Sequence, residues 1–239
     1  MYITNKLRND GFGAQYQTII FTILFAELEK IEFVYRPFTS IEHNYDSNPT
    51  FIKDKENLIN IRDEFNSIDS IDIGDIKDFD LGFIYNKIEN NLDYSLSLQS
   101  FKKIKNLFLK NKVRRFDEKY VAIHIRRPNS HDIGDYGYTQ DEYFIKVIDL
   151  IRKQYPDIKK YKIYSQGDKE NFKNFIGDDI EFHLNESIEK TFTDMVLSDI
   201  LVMSKGSFSY CAGLLSDGIV YYLPFWHKPK SNWINTQLI

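Results

Sequence analysis

Residues 120–127 read Tyr120-Val121-Ala122-Ile123-His124-Ile125-Arg126-Arg127, a short apolar strand that ends on a histidine and two arginines. A parallel strand buried on both faces reads as a continuous apolar run. In open α/β sheets, ligands sit just beyond the carboxyl ends of such strands. Two guanidinium groups there suit an anion, because their fixed N–H donors match the oxygens of a phosphate. The alternative is an arginine pair that bridges surface carboxylates.

Outward from this strand, the second half of the chain alternates between two periods. Residues 121–125 form a strand, followed by a polar loop over 129–137. Residues 140–153 then carry Phe144, Val147, Ile148 and Ile151 at the three-to-four spacing of an amphipathic helix. Further strands are expected over 161–164, 180–183, 200–203 and 219–223, and helices over 169–175, 188–197 and 208–215. Strands alternating with helices imply a parallel sheet built from right-handed crossovers.

The first 115 residues are less regular. A strand over 2–4, a helix over 15–30 and a strand over 32–35 are expected, joined by the glycine loop Asp10-Gly11-Phe12-Gly13-Ala14. Glycine lets backbone approach a ligand, and a helix N-terminus offers N–H groups to phosphate. Residues 40–80 read as loop-rich, 96–109 as a helix, and 110–119 as an interdomain linker. The expected organisation is therefore a reduced Rossmann-like domain over residues 1–115 and a second domain over 116–239.

A chain of 239 residues with 42% hydrophobic and 28% charged residues is globular. The net charge of −4 argues against a dedicated nucleic-acid binder. Cys211 is the single cysteine, so no intrachain disulfide forms, and a buried structural thiol is expected. No secretory signal is evident, and the apolar stretch 19–28 is too short to span a bilayer. The sequon Asn185-Glu186-Ser187 is read as chance without such a signal. A cytoplasmic protein with no integral membrane association is expected.

Three segments together resemble the fucosyltransferase superfamily that includes α1,2-, α1,6- and protein O-fucosyltransferases. Gly11-Phe12-Gly13-Ala14-Gln15 is similar to its N-terminal glycine loop, and His124-Ile125-Arg126-Arg127 to its His-x-Arg-Arg-x-Asp motif. Asp194 through Gly206-Ser207-Phe208-Ser209 is similar to its last motif, where a serine-rich turn opens a helix. The resemblance implies a GT-B fold of two Rossmann-like domains facing a cleft, with the nucleotide held by the C-terminal one. It implies an inverting, metal-independent transfer of fucose from GDP-fucose to a glycan acceptor, with no cofactor.

On that resemblance, Arg126 binds the β-phosphate and stabilises charge as GDP leaves, and Arg127 supports the site or contacts the donor. Ser207 or Ser209 bonds phosphate at the helix start, with Phe208 between them in the same motif. Gly13 and Ala14 supply backbone N–H groups to the diphosphate. His124 and Asp194 align with positions near guanine, and Tyr143 and Asp168 frame the donor pocket. The chain departs from the family at Asn129, where the motif closes on aspartate, and at Gly167-Asp168, where an acidic pair is reduced to one. The catalytic base is sought in the loop holding His131, Asp132 and Asp135. Asp135 is preferred, although gapless alignment puts Gly134 at the family's position, and His43 is another candidate.

Asp78-Phe79-Asp80 matches the DxD pattern of metal-dependent transferases, but it lies outside any βαβ pattern and reads as a solvated acidic loop. The five histidines lack zinc-ligand spacing, so no metal is expected. The aromatic run 221–227 and Trp233 either stack on a sugar or base or close a core. Two alternatives to a fucosyltransferase remain: a transferase using another nucleotide sugar, and an inactive nucleotide- or carbohydrate-binding protein on the same scaffold.

Overall fold

The structure, a computed structural model, describes residues 1–44, 47–70, 72–127 and 138–238. The chain divides into two compact units, Met1–Lys112 and Val113–Ile239.

In the first unit, β1 (Tyr2–Thr4) and β2 (Glu32–Val34) pair in parallel, with Ile3 opposite Phe33. Between them α1 (Phe12–Glu29) is apolar nearly all round and therefore buried nearly all round. Its buried hydroxyls bond backward along the helix, Thr18 to the Ala14 carbonyl at 3.0 Å and Thr22 to that of Thr18 at 2.7 Å. The helix starts earlier than the glycines suggest. Gly11 is the extended N-cap, and Gly13 and Ala14 already lie in the first turn. Phe12 anchors that turn, its ring 5.5 Å from Tyr16 and 6.3 Å from Phe38.

The region expected to be loop-rich contains α2 (Phe51–Ile59). Its buried face includes Lys55 and Glu56, which hide the apolar period. Glu56 accepts from the Tyr35 hydroxyl at 3.0 Å and the Phe38 amide at 2.8 Å, and its burial raises its pKa. The next helix, α3 (Leu81–Glu89), is capped by Asp80, which accepts from the Phe83 amide at 2.9 Å. Asp78 pairs with Lys6 at 2.7 Å, so both aspartates of the DxD pattern have structural partners. The single helix expected over 96–109 is two, α4 (Leu92–Ser97) and α5 (Gln99–Leu109), because Leu98 turns extended at φ −61°, ψ 154°. Glu27 accepts from the Gln99 and Ser100 amides and so satisfies the new N-terminus.

The second unit shows the expected α/β class. Its elements are β3 (Val121–His124), α6 (Asp141–Gln154), β4 (Tyr161–Ser165), β5 (Ile180–Leu184), α7 (Ile188–Val196), β6 (Ile200–Val202), α8 (Ser207–Leu215), β7 (Ile219–Tyr222) and β8 (Ile234–Asn235). The strands form one parallel sheet in the order β5-β4-β3-β6-β7-β8. Between β4 and β5 the expected helix is only a 3-10 turn, Lys169–Phe172. The two-residue β8 is too short to leave a period in the sequence.

Val121 in β3 stands opposite Tyr161 on one side and Ile200 on the other, and Val121, Ala122 and Ile123 are fully buried. The α6 stripe Phe144, Val147, Ile148 and Ile151 covers this sheet. One cation sits among these buried strands. Lys162 pairs across the ladder with Glu181 and lies 3.7 Å from the Phe116 ring. The segment before β3 is tied down by Arg114, whose guanidinium pairs with Asp199. Cys211 is buried in α8, and desolvation pushes its thiol pKa up, as suits a structural thiol.

Candidate functional site

The sheet reverses its winding between β3 and β6. From β3 the chain crosses to β4 and β5 on one side, then returns to place β6, β7 and β8 on the other. The connections that leave the carboxyl ends of β3 and β6 diverge, which opens a crevice where ligands bind in such sheets. From β3 come His124 and Arg126, and from β6 come Ser204, Gly206 and then α8.

Arg126 and the start of α8 meet there. A Cβ placed on Gly206 would lie 3.6 Å from Arg126 Nη1, so the guanidinium stands beside the helix N-cap. The N-cap of α8 is Gly206, which has no side chain to offer the first-turn amides. First-turn amides have no intrahelical acceptor, and the helix dipole is positive at this end. A guanidinium beside a helix N-terminus is an anion site, fitted to a phosphate by fixed donors and by charge. Ser207 and Phe208 are half-buried at this helix start. Ser209 is fully buried and donates to the Ser204 carbonyl at 2.9 Å, so it braces the turn from within.

His124 lies 2.7 Å from the Ser204 hydroxyl through Nδ1, and its ring packs 5.3 Å from Phe208. Protein atoms surround the ring although the residue is partly exposed. That desolvation, with the nearby charge of Arg126, pushes its pKa down to about 3. At neutral pH the imidazole is uncharged, with one nitrogen donating and the other accepting. The unfolded ring takes its proton near 6.5 and the folded one near 3. Native stability therefore falls as pH drops through this interval. Ring NMR should show His124 not titrating between pH 8 and about 5; a midpoint near 6.5 would contradict this setting.

Arg127 turns away from Arg126. Its guanidinium pairs with Asp141 and lies 5.1 Å from the Phe172 ring, so it secures the start of α6. The Tyr143 hydroxyl meets Thr236 Oγ1 at 2.6 Å, and burial raises its pKa to about 12. Thr236 donates to the Tyr222 carbonyl, so Tyr143 is the donor to Thr236. Asp168 is exposed just beyond β4. It follows Gly167, whose φ of 103° suits glycine and whose N–H donates to Asn185 at 2.9 Å.

Asp194 is 1% exposed. Its carboxylate accepts from Arg115 Nε at 2.8 Å and from the Tyr164 hydroxyl at 3.0 Å. Arg115 also donates to Glu186 at 2.7 Å. Gly13 and Ala14 lie in the first turn of α1, in the other unit, and His43 crowds Gly11 there. A Cβ on Gly11 would stand 3.0 Å from His43 Nε2. Asn129, His131, Asp132, Gly134 and Asp135, including the preferred base, lie outside the described residues.

Sequence reading passed over Arg115 and Ser204. Arg115 stands in a stretch that reads as a linker, and its partner Asp194 is far away in sequence. Ser204 sits in Ser204-Lys205-Gly206-Ser207, a turn whose composition did signal a helix start. Among the described residues, no three or more His, Cys, Asp or Glu side chains group as they would around a metal ion. Nor is any helix there long and apolar enough to cross a membrane.

Fold and site together define a parallel α/β sheet with a guanidinium beside a helix start at its order reversal. No family model matches the sequence, and no curated protein matches it. Among solved structures, the chain is similar to E. coli heptosyltransferase WaaC with ADP-2-deoxy-2-fluoro heptose, at 13% identity over 98% of this chain and 92% of that one, TM-score 0.49. It is similar to POFUT1 in complex with GDP-fucose, at 11% identity over 91% and 93%, TM-score 0.45. It is also similar to NodZ alpha-1,6-fucosyltransferase soaked with GDP-fucose, at 11% identity over 95% and 99%, TM-score 0.42. A heptosyltransferase and an alpha-1,6-fucosyltransferase are thus among the solved structures that this chain resembles.

Proposed function

We propose that this chain is an inverting, metal-independent glycosyltransferase that moves fucose from GDP-fucose to a glycan acceptor. The observation that carries this reading is Arg126 beside the glycine N-cap of α8 at the sheet's order reversal. In the reaction, the acceptor oxygen forms a bond to the anomeric carbon while the carbon–oxygen bond to the β-phosphate breaks. Negative charge builds on the departing diphosphate, where Arg126 and the α8 dipole oppose it without reorganising. These fixed positive groups take the part that a divalent cation plays elsewhere. The acceptor hydroxyl loses its proton to a carboxylate, assigned to Asp135. Neutral His124 offers the donor a hydrogen bond without charge. The C-terminal unit holds the nucleotide sugar and the N-terminal unit serves the acceptor.

Calorimetry in the presence of a chelator tests the reading, with GDP, UDP, ADP and GDP-fucose as ligands. GDP and GDP-fucose are expected to bind, and UDP at least tenfold more weakly. Folded protein that binds none of the four overturns the proposal. Preference for ADP or UDP transfers it to another nucleotide sugar. Release of fucose from GDP-fucose to water or a glycan separates a transferase from a protein that only binds.

A further inference from the structure

Both tryptophans of the chain lie in the second unit, and the structure treats them oppositely. Trp233 is 8% exposed and closes the core against Tyr210 and Tyr222, with ring centroids 5.6 and 5.8 Å away. Trp226 is 59% exposed. A single exposed apolar side chain is ordinary; what distinguishes Trp226 is its mounting.

The backbone beside it is pinned by two tyrosines. The Tyr222 hydroxyl donates to the His227 carbonyl, and the Tyr210 hydroxyl to the Lys228 carbonyl at 2.8 Å. The two flanking side chains are clamped as well. His227 stacks on Tyr210 at 4.9 Å, and Phe225 meets the same ring edge-on at 5.8 Å. Phe225 in turn supports the Trp226 indole at 5.1 Å. The indole is therefore presented to solvent from an ordered aromatic base, a preorganised surface that loses little freedom on binding.

Its place in the fold points to a ligand. The segment leaves the carboxyl end of β7, parallel to β6 and β3, so it starts on the edge where ligands collect. Tyr210, on which it rests, is one turn into α8 and donates its amide hydrogen bond to the Gly206 carbonyl at 3.1 Å. Arg126 adjoins Gly206, Gly206 bonds Tyr210, and Tyr210 reaches Trp226 through the Phe225 ring.

We infer that Trp226 is a stacking platform for a pyranose ring of the carbohydrate substrate. One face of a pyranose carries axial C–H groups and is apolar, while its rim carries hydroxyls. The electron-rich indole face matches the first and leaves the second in water. This inference rests on the transferase reading and names the substrate part that meets this surface. The ring belongs either to the donor sugar or to the acceptor glycan, and the chemistry of the contact is the same.

Intrinsic fluorescence tests it, because Trp233 is buried and the red edge of the emission comes from Trp226. The probes are GDP, GDP-fucose and the methyl glycosides of fucose, galactose, glucose and N-acetylglucosamine. A sugar-bearing probe is expected to quench and blue-shift the red edge where GDP does not. By calorimetry, Trp226→Ala should weaken that probe roughly five- to tenfold and leave GDP unchanged, while Trp226→Phe retains most of the affinity. A response to GDP-fucose assigns the donor sugar, and one to a glycoside assigns the acceptor. No emission change with any sugar probe, together with unchanged affinities in Trp226→Ala, overturns the inference. Loss of all GDP binding in the native protein sinks the transferase reading instead, and the glycoside titrations still decide the role of Trp226.

Discussion

The Arg126→Ala protein is expected to bind GDP about a hundredfold more weakly than the native chain. Arg126 stands beside the N-cap of α8, and on the proposed reading its guanidinium and the first-turn amides share the diphosphate. Truncating one partner of such a charge-assisted contact costs about 2–4 kcal/mol, a factor of roughly thirty to a thousand in affinity. Arg126→Lys keeps the charge but loses the fork that bonds two phosphate oxygens at once, so it should recover only part of the loss. Both ligands carry the diphosphate, so GDP and GDP-fucose should both weaken. Isothermal titration of both variants, with circular dichroism to show that they are folded, measures the effect. Equal GDP affinity in native and Arg126→Ala protein would remove the basis for placing the diphosphate here.

The second large effect concerns stability. Asp194 accepts from Arg115 and Tyr164 while 1% exposed, and its backbone carbonyl accepts from the Tyr120 hydroxyl at 2.8 Å. Asp194→Ala strands the buried Tyr164 hydroxyl and strips Arg115 of its enclosed partner. Breaking a buried pair costs about 3–5 kcal/mol. Arg115 is 31% exposed and keeps Glu186, which tempers the loss, so about 3 kcal/mol is expected. Asp194→Asn keeps an acceptor for Tyr164 and should lose less. Urea unfolding followed by the emission of buried Trp233 reports on this unit. A loss under 1 kcal/mol in Asp194→Ala would mean that the pair contributes little to folding.

The two arginines of the opening stretch show what the sequence makes legible. The apolar run before them places both at the end of a central strand, and Arg126 is found in the crevice. Arg127 is equally basic and one position away, yet it pairs with Asp141 and packs over Phe172. A strand sends successive side chains to opposite faces, and composition alone does not distinguish the two sides. Helices such as α6 declared themselves because their buried stripe is wholly apolar. In α2, Lys55 and Glu56 occupy the buried stripe, and the period disappears. Arg115 and Asp194 carry no sequence signal as a pair, because their meeting is created only by the fold.

The strand order also has a consequence for how the chain is made. β3 is the first strand of its sheet to leave a ribosome, yet it ends in the middle of the sheet. β4 and β5 add to one edge as they emerge, while the other edge keeps its backbone donors and acceptors unpaired until β6 arrives. At cellular synthesis rates that interval is on the order of 10 s. During it Arg126 exists without α8, so the crevice has one wall. A diphosphate bound as proposed would therefore act on a nascent chain only after α8 has emerged, and could not guide the earlier steps.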